Sequence, residues 1–330
     1  MSDATLSPAG TRPLLEFLPV SLFGSVMGLT GLSVAWRIAH ATYGIPEWPA
    51  LLLAALAVTD FVVLSVAYLL KLATATATVR TEFSHPIVGS LFGTILISLL
   101  LLPLVLAPFS LLLARVLWGV GAAGMLLFAW LMVSRWMSER QQNAHATPTW
   151  IIPVVGLLDV PLAIPTLGLT ELHGLMVFAL AVGLFFAVPL FTMIFSRLLF
   201  EAPMPDALKP TLLILVAPFA VGYSAYVVTT GQNDLFAEAL YMLTLFILLI
   251  LLGQLRYLPR CCPFRVSWWA VSFPLAASSI ATLRYATANP GWLTYAVAWG
   301  ILALATTIIL ALLGRTLFGL AKGELRTLSS

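Results

Sequence analysis

The chain has 330 residues, of which 61% are hydrophobic and 9% charged, and its mean hydropathy is +1.04. A water-soluble fold of this length has too little interior to hide that much apolar surface, so the solvent is lipid. Soluble enzymes, secreted disulfide scaffolds and nucleic-acid-binding proteins are excluded; the net charge of +3 comes from basic residues scattered at segment ends.

A hydrocarbon core of roughly 30 Å asks for about 20 apolar residues in a helix. Ten stretches meet that length: 17–36, 49–70, 86–106, 110–133, 150–169, 172–195, 211–229, 235–255, 266–283 and 292–313. They are continuously apolar and do not alternate, which excludes a β-barrel. The first run follows a polar start whose one positive charge is Arg12, so it is expected to stay as a membrane helix rather than be cleaved. Residues 1–16 then read as a tail, 17–320 as a ten-helix domain and 321–330 as a second tail.

Short loops orient such a chain by their Lys and Arg content. Of the 16 basic residues, Arg37, Arg115 and Arg284 fall on one side and the other 13 on the opposite side. That split predicts cytoplasmic termini and a cytoplasmic loop at Cys261 and Cys262. Adjacent cysteines rarely reach disulfide geometry, so these two read as free thiols. No second Cys or His pair lies at ligand spacing, and neither a metal nor a cofactor is expected.

Proline separates the ten segments into two kinds. Every odd one contains it: Pro19; Pro86 and Pro103; Pro153, Pro161 and Pro165; Pro218; Pro274. Among the even ones only the sixth has an interior proline, Pro189. Proline in a membrane helix bends the axis and frees carbonyls that need other partners, which suits a helix lining a cavity better than one facing lipid. The chain therefore reads as five helical hairpins, each pairing a bent inner member with a straighter outer one. In the first segment Gly24, Gly28 and Gly31 share one helical face, which suits either close helix packing or a smooth passage wall. Gly89 and Gly93 repeat the spacing in the third. Gly119, Gly121, Ala122, Ala123 and Gly124 in the fourth point to helix or subunit packing.

Asp60 and Asp159 lie inside apolar segments, where carboxylates are rare and face protein or a cavity. Asp159 sits among prolines and reads either as a proton or charge site or as a structural partner of freed backbone. Asp60 reads as a partner for a basic or hydroxyl group. Membrane aspartyl proteases carry Gly-x-Gly-Asp, whereas residues 156–159 are Gly-Leu-Leu-Asp. No hydrolase or phosphate-loop motif is present, and no enzyme is expected. His40, His85, His145 and His173 sit near segment ends and read as interfacial. Arg37, Arg115 and Arg284 at one mouth either attract anions or snorkel to the interface.

Several stretches then point to one family. The runs FGSVMGLTGLSVAWR at 23–37, EFSHPIVGS at 82–90, TPTWIIPVVG at 147–156 and VAPFAVGYSAY at 216–226 resemble the first, third, fifth and seventh helices of the tellurite-resistance/dicarboxylate transporter family. That family includes the bacterial tellurite-resistance protein TehA and the slow anion channels of plant guard cells. The run WWAVSFPLAASSIATLRYA at 268–286 is similar to the ninth helix of the plant channels.

The resemblance implies an all-α ring of five hairpins around a central pore, assembled as a homotrimer in the lipid bilayer. It implies a phenylalanine gate on the ninth helix, at Phe273. Pore-lining positions are then expected at Gly24, Gly28, Gly31, Gly93, Pro153, Gly156, Pro218, Gly222, Pro274 and Ala277. The expected function is a Phe-gated anion channel or channel-like exporter of chloride or nitrate in a bacterial inner membrane. The alternative is a proton-coupled carrier of C4-dicarboxylate, sulfite or tellurite-type oxyanions. Asp159 stands where TehA-like sequences are neutral, which raises proton coupling. The long terminal domains of the plant channels are not expected here, nor is regulation through them.

The topology has a direct test. An impermeant maleimide applied to intact cells should leave Cys261 and Cys262 unlabelled, and the same reagent should label them in inverted vesicles. Labelling from outside overturns the orientation.

Overall fold

The structure, a computed structural model, describes residues 15–256 and 263–329. Arg12, Arg260 and both cysteines lie outside the described residues. Among these, ten helices are long and apolar enough to cross a membrane. They are α1 (Val20–Tyr43), α2 (Trp48–Thr74), α3 (Val88–Leu106), α4 (Leu111–Ser138), α5 (Pro148–Leu167), α6 (Thr170–Phe200), α7 (Asp206–Thr230), α8 (Leu235–Gln254), α9 (Val266–Ala288) and α10 (Trp292–Ala321). All ten expected segments are present. Several even helices outrun their expected limits: α6 has 31 residues and α10 has 30, where apolarity alone marks a shorter core. The added turns take in Arg197 of α6 and Arg315 of α10, charges that end an apolar run without ending the helix. Beyond α10, Leu328 of the short helix Leu325–Ser329 folds back against Gly319.

The odd and even helices occupy different layers. The most apolar stretches of α1, α5 and α9 are 78%, 83% and 83% buried, against 28% in α2 and α10. The inner helices touch in the closed order α1–α3–α5–α7–α9–α1. Each even helix packs on its own odd partner, and α4, α6, α8 and α10 also reach the next odd one. The outward faces of the even helices carry Val62, Val120, Phe185, Leu249 and similar side chains into the lipid layer.

The inner helices share a feature that hydropathy does not reveal. Each begins as 3-10 helix and becomes α partway: Val20–Leu22, Val88–Phe92, Pro148–Ile151, Asp206–Val216 and Val266–Val271 are the 3-10 stretches, and α5 has a second at Gly156–Asp159. In α5 and α7 the prolines explain why. In an α-helix the N–H of residue i+4 serves the carbonyl of residue i, and proline has no N–H. Pro153, Pro161 and Pro218 would leave the carbonyls of Thr149, Leu157 and Ile214 empty. The N–H groups of Ile152, Val160 and Ala217, one residue earlier, donate to those three oxygens. An i to i+3 bond is the 3-10 pattern. The outer helices α2, α4, α8 and α10 are α throughout, and α6 stays α across Pro189 after one opening 3-10 turn.

The glycine face of α1 is first of all a seam with α9. A methyl on Gly28 would lie 2.3 Å from Ser272 Oγ, and one on Gly31 would lie 2.9 Å from Ala276 Cβ. Ser272 Oγ donates across the seam to the Gly24 carbonyl at 3.0 Å. In α4, Gly121 lies against Leu99 and Leu100 and Gly124 against Leu96, which places that small-residue patch inside its own hairpin. Gly119 meets nothing within 4 Å and Ala123 is exposed.

At the basic end, fully buried Lys71 sits 2.6 Å from Glu82 Oε1 and donates to the Leu18 carbonyl at 2.7 Å. This pair ties the start of α1 to the connecting helix Thr76–Ser84. Removing Glu82 would leave the Lys71 ammonium buried without a counter-charge, the costly case for ion pairs.

The seam generates a stability prediction. Gly28→Val should overpack it against Ser272 and cost about 1–3 kcal/mol or more, seen as a lowered unfolding temperature in detergent. Gly119→Ala should be close to neutral in the same assay. Equal effects would remove the seam as a tight contact.

Candidate functional site

Two cavities lie along the axis of the inner ring. The larger, about 100 Å³, is bordered by residues from the first turns of all five odd helices, including Ser21, Leu91, Thr149, Thr211 and Ser267. The smaller, about 30 Å³, is bordered by later residues of the same helices, among them Val34, Leu104, Leu162, Ser224 and Arg284. The odd helices run parallel, so the first cavity belongs to the end of the bundle rich in basic residues and the second to the end with three arginines.

Phe273 and Val221 are the residues common to both linings. Phe273 is 8% exposed and follows the point where α9 turns from 3-10 to α. Its ring approaches the bare face of Gly31, where a methyl would lie 3.8 Å from Cδ2. The ring therefore stands between the cavities, with Val221 of α7 beside it.

The expected lining positions divide. Gly24, Gly156 and Pro274 border the larger cavity, and Gly31 and Ala277 the smaller. Gly28 faces the α1–α9 seam. Gly93 packs on Ile152 and Phe128, and Gly222 on Leu184 and Leu158. Pro153 and Pro218 border neither cavity; they set the backbone of neighbours that do, Ile152 and Ala217.

Asp159 borders the larger cavity at 1% exposure. Its Oδ1 has no hydrogen-bond partner, and no cation among the described residues lies within ion-pair distance. Next to it, Trp118 Nε1 donates to the Val160 carbonyl at 3.1 Å and fixes this part of α5 to α4. Asp60 is elsewhere, in the α1–α2 contact, where Ser25 Oγ donates to its Oδ2 at 2.5 Å. Its partner is a hydroxyl, one of the two kinds anticipated.

The three arginines at the far end differ in what they touch. Arg37 Nη1 donates to the Leu104 carbonyl at 2.8 Å, and Arg115 Nε to the Leu167 carbonyl at 2.9 Å. Both oxygens lie in the last turns of inner helices, where carbonyls have no intrahelical donor and a cation opposes the negative end of the helix. Arg115 also covers Gly168, whose φ of +62° ends α5 in the left-handed conformation that glycine accepts. Arg284 lines the smaller cavity, and its shielded Nε has no partner. The histidines behave as end residues: His85 Nδ1 accepts from the N–H groups of Ile87 and Val88 where α3 begins.

Ser278, Ser279 and Thr282 of α9 are fully buried and donate to carbonyls one turn back. Of the shielded hydroxyls without a partner, Ser224 and Ser267 stand on a cavity wall, whereas Thr30, Ser90 and Thr229 do not. Sequence reasoning missed Val221 and Ser224. They flank Gly222 in a run that carries the resemblance, but nothing local ranks that serine above the hydroxyls of α9.

Comparison with known proteins agrees with this architecture. The family model described as voltage-dependent anion channel matches residues 18–317. The S-type anion channel SLAH3 of Arabidopsis thaliana is 30% identical over 313 residues, which is 92% of this chain and 49% of that protein. The guard cell S-type anion channel SLAC1 of the same plant is 25% identical, over 96% of this chain and 58% of its own length. The tellurite resistance protein TehA homolog of Haemophilus influenzae is 25% identical over 93% of this chain and 92% of its own. The chain thus spans about half the length of the plant relatives and nearly all of the bacterial one.

Proposed function

Since the chain belongs to the voltage-dependent anion channel family, we propose that it conducts small monovalent anions such as chloride or nitrate along the axis of its inner ring, with Phe273 as the gate. The observation that carries this reading is the shared wall: Phe273 and Val221 alone border both cavities. An apolar ring across a narrow passage offers a permeating ion no hydration partner, and the desolvation cost forms the barrier. The preference for anions has two physical sources. All five inner helices begin at the end of the bundle that holds the larger cavity, so their positive ends gather on that side. At the opposite mouth Arg37, Arg115 and Arg284 have no carboxylate within ion-pair distance among the described residues and keep a positive field. The setting is a bacterial inner membrane with cytoplasmic termini, and the assembly is a homotrimer by resemblance to the family.

A second reading, a proton-coupled carrier for C4-dicarboxylate, sulfite or tellurite-type oxyanions, draws on Asp159. A carboxylate without cation or donor repels an anion in the same cavity, and a charge left unpaired out of water is costly. A proton on Asp159 removes both penalties, so transport that loads this proton would be coupled to it.

Two measurements test the pair of readings. Phe273→Ala should raise basal anion current in a planar bilayer at least tenfold, with the order among halides preserved, because the ring blocks and does not coordinate. Phe273→Leu should fall between, and Phe264→Ala, which alters neither cavity wall, should stay silent. A folded Phe273→Ala protein as silent as wild type removes the gate. Asp159→Asn mimics the protonated acid and should flatten the dependence of flux on pH. An unchanged profile leaves Asp159 outside the transport cycle.

A further inference from the structure

The geometry points to an anion coordination site in the smaller cavity, formed by Arg284 of α9 and Ser224 of α7 directly outside the Phe273 ring. This deepens the channel reading and rests on it. The smaller cavity has walls of glycine, alanine and aliphatic side chains with two polar exceptions, Ser224 and Arg284. Both exceptions are unpaired. Ser224 is 3% exposed and its Oγ has no partner, although buried hydroxyls normally find one. Arg284 Nε is shielded and likewise has no partner.

Ser278, Ser279 and Thr282 bond to backbone one turn back, and Arg37 and Arg115 each place one N–H on a helix-end carbonyl. Other shielded donors without a partner, among them Thr30 Oγ1, Ser90 Oγ and Arg37 Nε, border neither cavity; in the smaller one a serine hydroxyl and a guanidinium N–H are left over together. Two donors left over in one cavity ask for an acceptor from outside. An anion is that acceptor: guanidinium supplies charge and an N–H, serine supplies an O–H. At about 30 Å³ the space takes a small ion with a water or two, and a four-carbon dicarboxylate does not fit. The ligand class is therefore a small monovalent anion, halide or nitrate. An ion held there waits against the outer face of the gate, so it is the first to cross when the ring moves.

The site differs from the general field of the three arginines because it needs a neutral serine. The test uses the full-length protein with bromide as the probe. Crystals soaked in bromide should show anomalous density between Ser224 Oγ and Arg284 Nε, lost in Arg284→Gln. In the Phe273→Ala background, Ser224→Ala leaves every charge in place. It should raise the bromide concentration for half-saturation of the current about tenfold, the scale of one hydrogen bond to a charged group. Arg284→Lys keeps the charge but loses the Nε donor, and should also weaken saturation. Unchanged saturation in Ser224→Ala, with no bromide density, overturns the site while a conducting Phe273→Ala keeps the channel reading. Bromide bound at the site of a protein that carries no anion current in any variant sustains the site and removes the channel reading.

Discussion

Every carbonyl inside a bilayer must have a donor, and the inner helices of this protein meet that demand around proline. Where proline removes the N–H four residues ahead, the N–H three residues ahead takes its place, as at Thr149, Leu157 and Ile214. The backbone stays bonded, so proline can be placed at membrane depth without opening carbonyls to lipid. The consequence in α5 and α7 is a 3-10 stretch directly ahead of the proline-bearing α turn. Ile152 and Ala217, which follow those stretches, border the larger cavity.

The division of labour between layers follows. Outer helices keep uninterrupted α bonding and meet lipid with large apolar side chains, so they need no polar partners. Inner helices are held by short contacts, the closest being the α1–α9 seam where Gly28 faces Ser272. In the second half of α9 the hydroxyls of Ser278, Ser279 and Thr282 bond to the helix's own carbonyls. A ring built this way has few free polar atoms facing its axis, and each remaining one can affect an ion strongly because nothing else competes for it.

Charge placement shows the same economy. Lys71 is buried only with Glu82 and a carbonyl beside it. Arg37 and Arg115 hold the ends of neighbouring inner helices, which makes them structural while leaving their charge at the mouth. Arg284 and Asp159 are the two ionic side chains that border a cavity, one on each side of Phe273. A guanidinium on one side of the ring and an unpaired carboxyl on the other make the two cavities electrically unlike.

The amino-acid sequence by itself determined the lipid solvent, the ten apolar helices, the separation of proline-bearing from proline-poor segments and the family. Each of these rests on composition, local periodicity or runs of adjacent residues, which need no knowledge of distant contacts. It also placed Phe273, through a resemblance rather than through any property that marks one phenylalanine among 19. Only the tertiary structure decided which glycines border a cavity and which fill a seam, since Gly24 and Gly28 differ only in what α9 presents to them. It alone separated Arg284 from Arg37 and Arg115, and Ser224 from the hydroxyls of α9. In each case the deciding partner comes from another helix, and residues that look alike in the chain acquire different chemistry once the ring closes around them.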